Sequence, residues 1–320
     1  MRFAALVALG LAASATQPEQ VTFRNGDVTL AGTLYLPTDP GRHPAIVVLH
    51  AAGGGTRDYH AYQHLVRALP PVGFAVLLFD RRGEGGSTGD RRTASFADLA
   101  GDGVAGVSFL ASRPDIDPSR IGVWGMSQGG WLAPLAATMS RAIAFVIAVS
   151  APAVGPAGQM DYTARHALEA AGQPAGVVDH ALRVRAIVND YYRGRISKSA
   201  ATVAIDSIRG QPWFPQVFIP NGGRLPDDPT HTDWYATLDY DPLLTLTKVT
   251  VPMAFFFAED DAYVPVEESM ARTRQVTRVS DLMIRRVPGT DHYMETGKPE
   301  SGGPTSAQYV DQLLEWLRRR

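Results

Sequence analysis

The chain has 320 residues, 45% hydrophobic and 19% charged, which describes a globular protein with ample core and excludes a disordered or fibrous one. Its formal net charge of -2 argues against a whole-domain basic footprint for nucleic acid, and the terminal Arg318, Arg319 and Arg320 read as the positive end of a last helix. The absence of cysteine removes disulfides, thiolate nucleophiles, thiolate metal sites and a lipoprotein anchor together.

At the N-terminus, Arg2 precedes an apolar run over 3–13 and the triplet Ala13, Ser14, Ala15. A short basic start, an apolar stretch of about ten residues and an Ala-x-Ala site predict a secretory signal peptide over 1–15, cleaved after Ala15. The run is too short to span a bilayer, which takes about 20 apolar residues. The expectation is an exported protein, periplasmic or extracellular, with no stable membrane anchor and a fold held by its core.

The segments 21–23 and 30–36 are β-prone and flank Asn25, Gly26 and Asp27, a strong hairpin signal. Apolar runs of strand length follow at 45–50, 74–80, 121–124 and 142–150, then at 252–259 and 282–287. Unbroken runs such as Ile46, Val47, Val48, Leu49 fit strands buried on both faces, hence a parallel sheet under helices. Helices are expected between them at 58–69, 96–110, 128–139 and 266–276, with a last one over 306–319. The alternation predicts an α/β fold. It breaks between 152 and 245, where helix-like pieces at 162–171 and 177–192 precede a loop-rich part over 211–232. This stretch reads as a lid inserted into a core formed by 16–151 and 246–320. No repeat or low-complexity tract interrupts either part.

Within the core, Gly125-Met126-Ser127-Gln128-Gly129 lies between a strand candidate ending at Trp124 and a helix candidate opening at Gln128. Gly-x-Ser-x-Gly alone is weak, with a chance match in a chain of this length on the order of 0.1. Its placement is what carries weight, because a strand turning sharply into a helix exposes the serine hydroxyl at the strand's C-terminal end. A serine nucleophile needs a base and an orienting carboxylate, which follow such a turn in the order acid, then base. Of the histidines after Ser127, His180 and His231 lie in the inserted stretch, and His292 in the loop after the last strand candidate. His292 is the expected base; His50, His60 and His64 read as loop or packing residues. The acid should follow the strand at 252–259, where Asp261 is the first choice, Asp260 the alternative and Asp291 a distant third.

One oxyanion donor should be the backbone N–H of Gln128, directly after the nucleophile. The second should come from His50-Ala51-Ala52-Gly53-Gly54-Gly55, with Ala52 preferred and Ala51 or Gly53 left open. The glycine-rich segment 80–89 matches no phosphate-binding spacing and is expected to shape the pocket rim. No His-Glu-x-x-His or calcium-loop spacing occurs, so neither a metal nor another cofactor is implied.

Taken together, these residues resemble the α/β-hydrolase superfamily across nearly the whole chain after residue 15. The look is that of bacterial prolyl-oligopeptidase-like and dienelactone-hydrolase-like esterases. The shared pieces are the hairpin reaching Pro37, the segment 44–55, the stretch from Asp80 to Ser87, the Ser127 turn, Asp261 to Pro265, and Gly289 to His292. In relatives with a glycine three residues before the acid, Ala258 takes the glycine's place, which favours Asp261 over Asp260. Dienelactone hydrolases use cysteine, absent here, and the chain has no room for the propeller of prolyl oligopeptidases. The resemblance implies a serine hydrolase with a small-molecule acyl substrate: carboxylic esters first, small peptides or amides second, thioesters third.

Overall fold

The computed structural model describes residues 18–297 and 303–320, so the expected signal peptide lies outside the described residues. Strands β1 (Glu19–Asn25) and β2 (Val28–Tyr35) form the expected hairpin, turning through Gly26 at φ +57°. They continue into β3 (His43–Leu49), helix α1 (Gln63–Ala68), β4 (Ala75–Phe79), α2 (Phe96–Ala111) and β5 (Ile116–Met126). Then come α3 (Gln128–Met139), β6 (Phe145–Val149), α4 (Pro156–Ala170), α5 (Ala175–Tyr192), α6 (Lys198–Arg209), α7 (Asp233–Thr237) and α8 (Pro242–Leu246). The chain closes with β7 (Met253–Ala258), α9 (Val266–Val276), β8 (Leu282–Val287) and α10 (Ala307–Leu317).

The eight strands form one sheet in the order β1-β2-β4-β3-β5-β6-β7-β8. The pairs β1–β2 and β2–β4 are antiparallel, and every pair from β4 through β3 to β8 is parallel. The period-2 side-chain alternation divides each central strand between two cores. Ala45, Val47 and Leu49 of β3 face the core that takes Val107 of α2, Leu132 of α3 and Met270 of α9. Ile46 and Val48 face the other, built with Leu65 of α1 and Leu313 and Trp316 of α10. Each large aliphatic or aromatic side chain fully buried this way contributes roughly 1.5–3 kcal/mol, which is what holds a chain without disulfides.

Helices α4 to α8 lie between β6 and β7; α4 to α7 with their loops bury a core of their own, including Leu168, Val184, Ile205 and Val217, while Leu246 of α8 joins the core of the sheet. The expectation and the structure differ here at α6, which falls between the helix-like pieces and the loop-rich part expected of that stretch. Ser197 caps α6 by accepting the Ala200 N–H, and its buried face is Ala201, Ile205 and Ile208, one helical stripe. The segment expected as one helix over 58–69 is instead a 3-10 turn, His60–Tyr62, followed by the six-residue α1, because Pro70 ends it and Tyr62 turns inward. β5 is longer than expected, and a register shift between His43 and Ala45 accommodates its start.

Candidate active site

Ser127 stands between the end of β5 and the first residue of α3, at φ +55° and ψ -116°. A serine in this sparsely populated region is held there by its surroundings, at a cost of about 1–3 kcal/mol. The surroundings are visible in the flanking glycines. A Cβ on Gly125 would meet the Gly129 carbonyl oxygen at 1.9 Å, and one on Gly129 would meet the Leu49 carbonyl oxygen at 2.3 Å. Both obstacles are backbone, so only glycine lets the helix start this close to β3 and β5. The Ser127 N–H is spent on the Val149 carbonyl at 2.9 Å, leaving the hydroxyl at the end of the central strand.

The structure brings Asp261 and His292 together. Asp261 follows β7 and His292 follows β8, and the His292 Nδ1 lies 2.9 Å from both oxygens of the Asp261 carboxylate. Asp261 Oδ1 also accepts the N–H groups of Tyr263 and Val264 at 2.9 and 3.0 Å, which fixes the carboxylate from below. The imidazole stands between the rings of Tyr263 and Tyr293, at 4.9 and 5.4 Å, and the His292 carbonyl accepts the Ser150 hydroxyl at 2.8 Å. Asp260 is exposed. Asp291 is buried but turned to its own loop, where Oδ1 accepts the N–H groups of Tyr293 and Glu295.

The other histidines lie elsewhere. His180 meets the Ser207 hydroxyl, and His231 is paired with Asp228 on the surface. His60 faces Glu295 at 3.9 Å. His50 contacts the Phe79 carbonyl at 2.6 Å, and burial, with help from the Arg81 charge, pushes its pKa down to about 3. His64 lies 3.3 Å from the Tyr309 hydroxyl, and burial takes it to about 4. Both stay neutral in the core at ordinary pH.

Ser127, Gln128 and His292 line one cavity of about 240 Å³, walled also by Ala51, Ala52, Gly53, Tyr59 and Tyr263, with Phe218, Met160 and Thr163 from the inserted helical stretch. Gln128 opens α3, so its N–H has no acceptor within the helix. In the loop after β3, the Ala51 N–H donates to the Tyr62 hydroxyl at 2.8 Å and that hydroxyl donates to the Gly54 carbonyl at 2.7 Å. The Gly54 N–H in turn donates to the Ala51 carbonyl. All three of Ala51, Ala52 and Gly53 line the cavity, but the Ala51 N–H is thereby spent on the loop itself.

Two residues that sequence reasoning did not single out hold this loop. Tyr62 makes the pair of hydrogen bonds just described, and burial raises its phenol pKa so that it stays a neutral donor. Arg81, 3% exposed, donates to the Ala52 carbonyl at 2.9 Å, the Gln128 Oε1 at 3.2 Å and the Ala51 carbonyl at 3.4 Å, while Glu84 balances its charge. The segment 80–89 therefore does more than form a rim: one of its arginines ties together the two candidate oxyanion elements. An arginine directly after a buried strand's Asp80 was the available signal. A further missed group is Phe218, held at φ +51° over the cavity. Its carbonyl and that of Val217 accept from the buried Arg185, which is also paired with Asp161 at 2.7 Å. Among the described residues, no group of three or more His, Asp or Glu side chains could hold a metal ion, and no helix is long and apolar enough to cross a membrane.

Comparison with known proteins agrees with the architecture. A family model described as the alpha/beta hydrolase family matches residues 46–300. The quorum-quenching protein AidA of Acinetobacter baumannii is 35% identical over 114 residues, 35% of this chain and 37% of that protein, so the chain spans little more than a third of that relative's length. An esterase of Pyrococcus furiosus superposes with a TM-score of 0.59 at 20% identity, covering 95% of this chain and 91% of that one. Proline iminopeptidase of Mycobacterium smegmatis does so with a TM-score of 0.60 at 18% identity, covering 94% and 98%. At such identities the two structures speak for the fold alone.

Proposed function

The chain belongs to the alpha/beta hydrolase family, and from that premise we propose that it is a serine hydrolase cleaving carboxylic esters through an acyl-enzyme on Ser127, with His292 as base and Asp261 as its orienting acid. The observation that carries this reading is the buried Asp261–His292 contact at one edge of the cavity that contains Ser127 on its strained turn. With Nδ1 engaged by Asp261, the Nε2 of His292 is the nitrogen available to the serine. Ser127 Oγ attacks the acyl carbonyl carbon as its proton passes to Nε2. The N–H groups of Gln128 and Ala52 receive the charge that develops on the carbonyl oxygen. The C–O bond to the leaving group then breaks and the alcohol departs with the proton from His292. Water, deprotonated by the same imidazole, attacks the acyl-enzyme, and the proton returns to Ser127 as the acid is released.

Esters are favoured over peptides by the composition of the cavity. Among the described residues that line it, none is Arg, Lys, Asp or Glu, so nothing charged is placed to grip a peptide terminus. The segment 152–245 acts as a lid in this reading, supplying Phe218, Met160 and Thr163 as its roof. Residues 1–15 act as an export signal. Turnover of matched p-nitrophenyl esters, aminoacyl anilides and acyl thioesters tests the reading. Ester hydrolysis exceeding the other two supports it, and anilide hydrolysis with no ester hydrolysis contradicts it.

A further inference from the structure

A second chamber, of about 180 Å³, lies beyond the oxyanion donors. It shares Ala52, Gln128, Gln159 and Met160 with the chamber that holds Ser127 and His292, so the two meet at the oxyanion elements. Its other walls are mainly apolar and aromatic: Phe96 and Leu99 of α2, Trp131 of α3 and Trp234 of α7. The indole N–H groups of the two tryptophans are already engaged, Trp131 with the Pro152 carbonyl at 2.7 Å and Trp234 with Asn189 Oδ1 at 3.1 Å. Phe96 packs on Trp131 with ring centroids 5.4 Å apart, which makes this wall rigid. Arg81 and Arg91 also reach the chamber. Glu84 balances Arg81 at 3.2 Å, and Glu84 and Asp233 balance Arg91 at 3.0 and 3.9 Å. A charged ligand group entering here would find no uncompensated partner, and its desolvation would go unrewarded.

The chemistry of acyl transfer assigns the two chambers different parts of the substrate. The leaving group must sit beside His292, which gives it a proton, and the carbonyl oxygen must face Gln128 and Ala52. The remaining substituent of the carbonyl carbon is the acyl group, which must point away from His292. His292 lines the first chamber and not the second. Resting on the hydrolase reading, we propose that the second chamber is the acyl subsite and selects esters of neutral arylalkanoyl acids over acetyl esters. An apolar cavity of about 150 Å³ accepts benzene, so 180 Å³ accommodates a phenyl ring with its linking methylene. A ring also meets Phe96 and the two indoles in edge-to-face or offset contacts that a flexible alkyl chain of equal volume does not make.

The test compares p-nitrophenyl phenylacetate with p-nitrophenyl acetate, which differ only in the acyl group. The wild-type full chain is expected to favour phenylacetate by at least about tenfold in kcat/KM, the lower end of what added apolar groups confer in a fitted pocket. Ala94→Phe, at a buried wall of the second chamber, lowers that ratio about tenfold. Trp234→Ala widens the chamber and shifts preference toward the naphthylacetyl ester, a readout that does not depend on how well the first variant folds. A wild-type ratio near one overturns the inference and leaves the hydrolase reading standing, as does a ratio unmoved in both variants when circular dichroism shows them folded. Turnover of neither ester, with no labelling of Ser127 by a fluorophosphonate, overturns both.

Discussion

His292 Nδ1 lies equidistant, at 2.9 Å, from the two oxygens of Asp261, a contact between side chains 7% and 0% exposed that come from loops after different strands. The carboxylate is not free to turn, because Tyr263 and Val264 also donate to it. Asp261→Asn keeps the shape but can present its amide to Nδ1 and trap the wrong tautomer. The expected result is a fall in kcat of about 10⁴-fold with the fold retained. Asp260→Asn, at an exposed neighbour, stays within about twofold. Ester kinetics on the two purified variants separates the two carboxylates.

Tyr62 connects the ends of the candidate oxyanion loop through one hydroxyl. Tyr62→Phe leaves a buried N–H and a buried carbonyl without that partner, which costs about 1–3 kcal/mol of stability. It also frees the loop that positions the Ala52 N–H, so kcat falls by roughly tenfold while KM changes less. Urea unfolding together with steady-state kinetics checks both halves. Loss of stability without loss of kcat would show that the loop keeps its place by other means.

Arg185 ties α5 to Asp161 of α4 and to the carbonyls of Val217 and Phe218. Its burial lowers its pKa while the Asp161 charge opposes that shift, so the cation persists in the core of the inserted helices. Arg185→Met removes the cation and leaves the Val217 and Phe218 carbonyls unpaired, at a cost of roughly 1–3 kcal/mol for each orphaned acceptor. Limited proteolysis is the sensitive readout, with cleavage between α6 and α7 expected to precede cleavage of the sheet core.

His50 and His64 give stability a definite pH dependence. Burial depresses both from an ordinary value near 6.5, to about 3 and about 4. The unfolded chain therefore binds more protons than the folded one below pH 6.5, and stability falls as pH falls. The contribution is complete above about pH 6.5 and is lost on descending toward pH 4 and then 3, by about 1.4 kcal/mol per pH unit for each histidine. His64→Leu reduces the slope of unfolding free energy against pH by about 1 kcal/mol per pH unit between pH 4.5 and 6. A slope equal to that of the wild type contradicts the assignment.

The fold was legible where local pattern and burial agree. The run over 74–80 is apolar on both faces because β4 lies inside the sheet, and the Asn25–Asp27 turn announces its own hairpin. Ser127 and Asp261 could be proposed because each follows a buried apolar strand, and His292 because it follows the last strand candidate, which two arginines interrupt. Tyr62 and Arg81 could not, since their work is defined by irregular loop backbone, 8 and 11 residues away for Tyr62 and 29 and 47 for Arg81, whose path no local pattern announces. The helix α6 carried a signal, Ser197 followed by Ala201, Ile205 and Ile208, in a stretch whose alternation with strands had stopped. Asp233 and Trp234 reached the second chamber through a short helix capped by Thr232, within the stretch expected only as insertion.

The most direct measurement of the central claim compares Ser127→Ala with the wild type in hydrolysis of p-nitrophenyl acetate and in labelling by a fluorophosphonate. The account predicts that turnover falls by at least roughly 10⁴-fold and labelling disappears, while the unfolding midpoint changes little, because alanine keeps the Cβ and with it the same backbone strain at φ +55°. Turnover and labelling at wild-type levels in Ser127→Ala would contradict it.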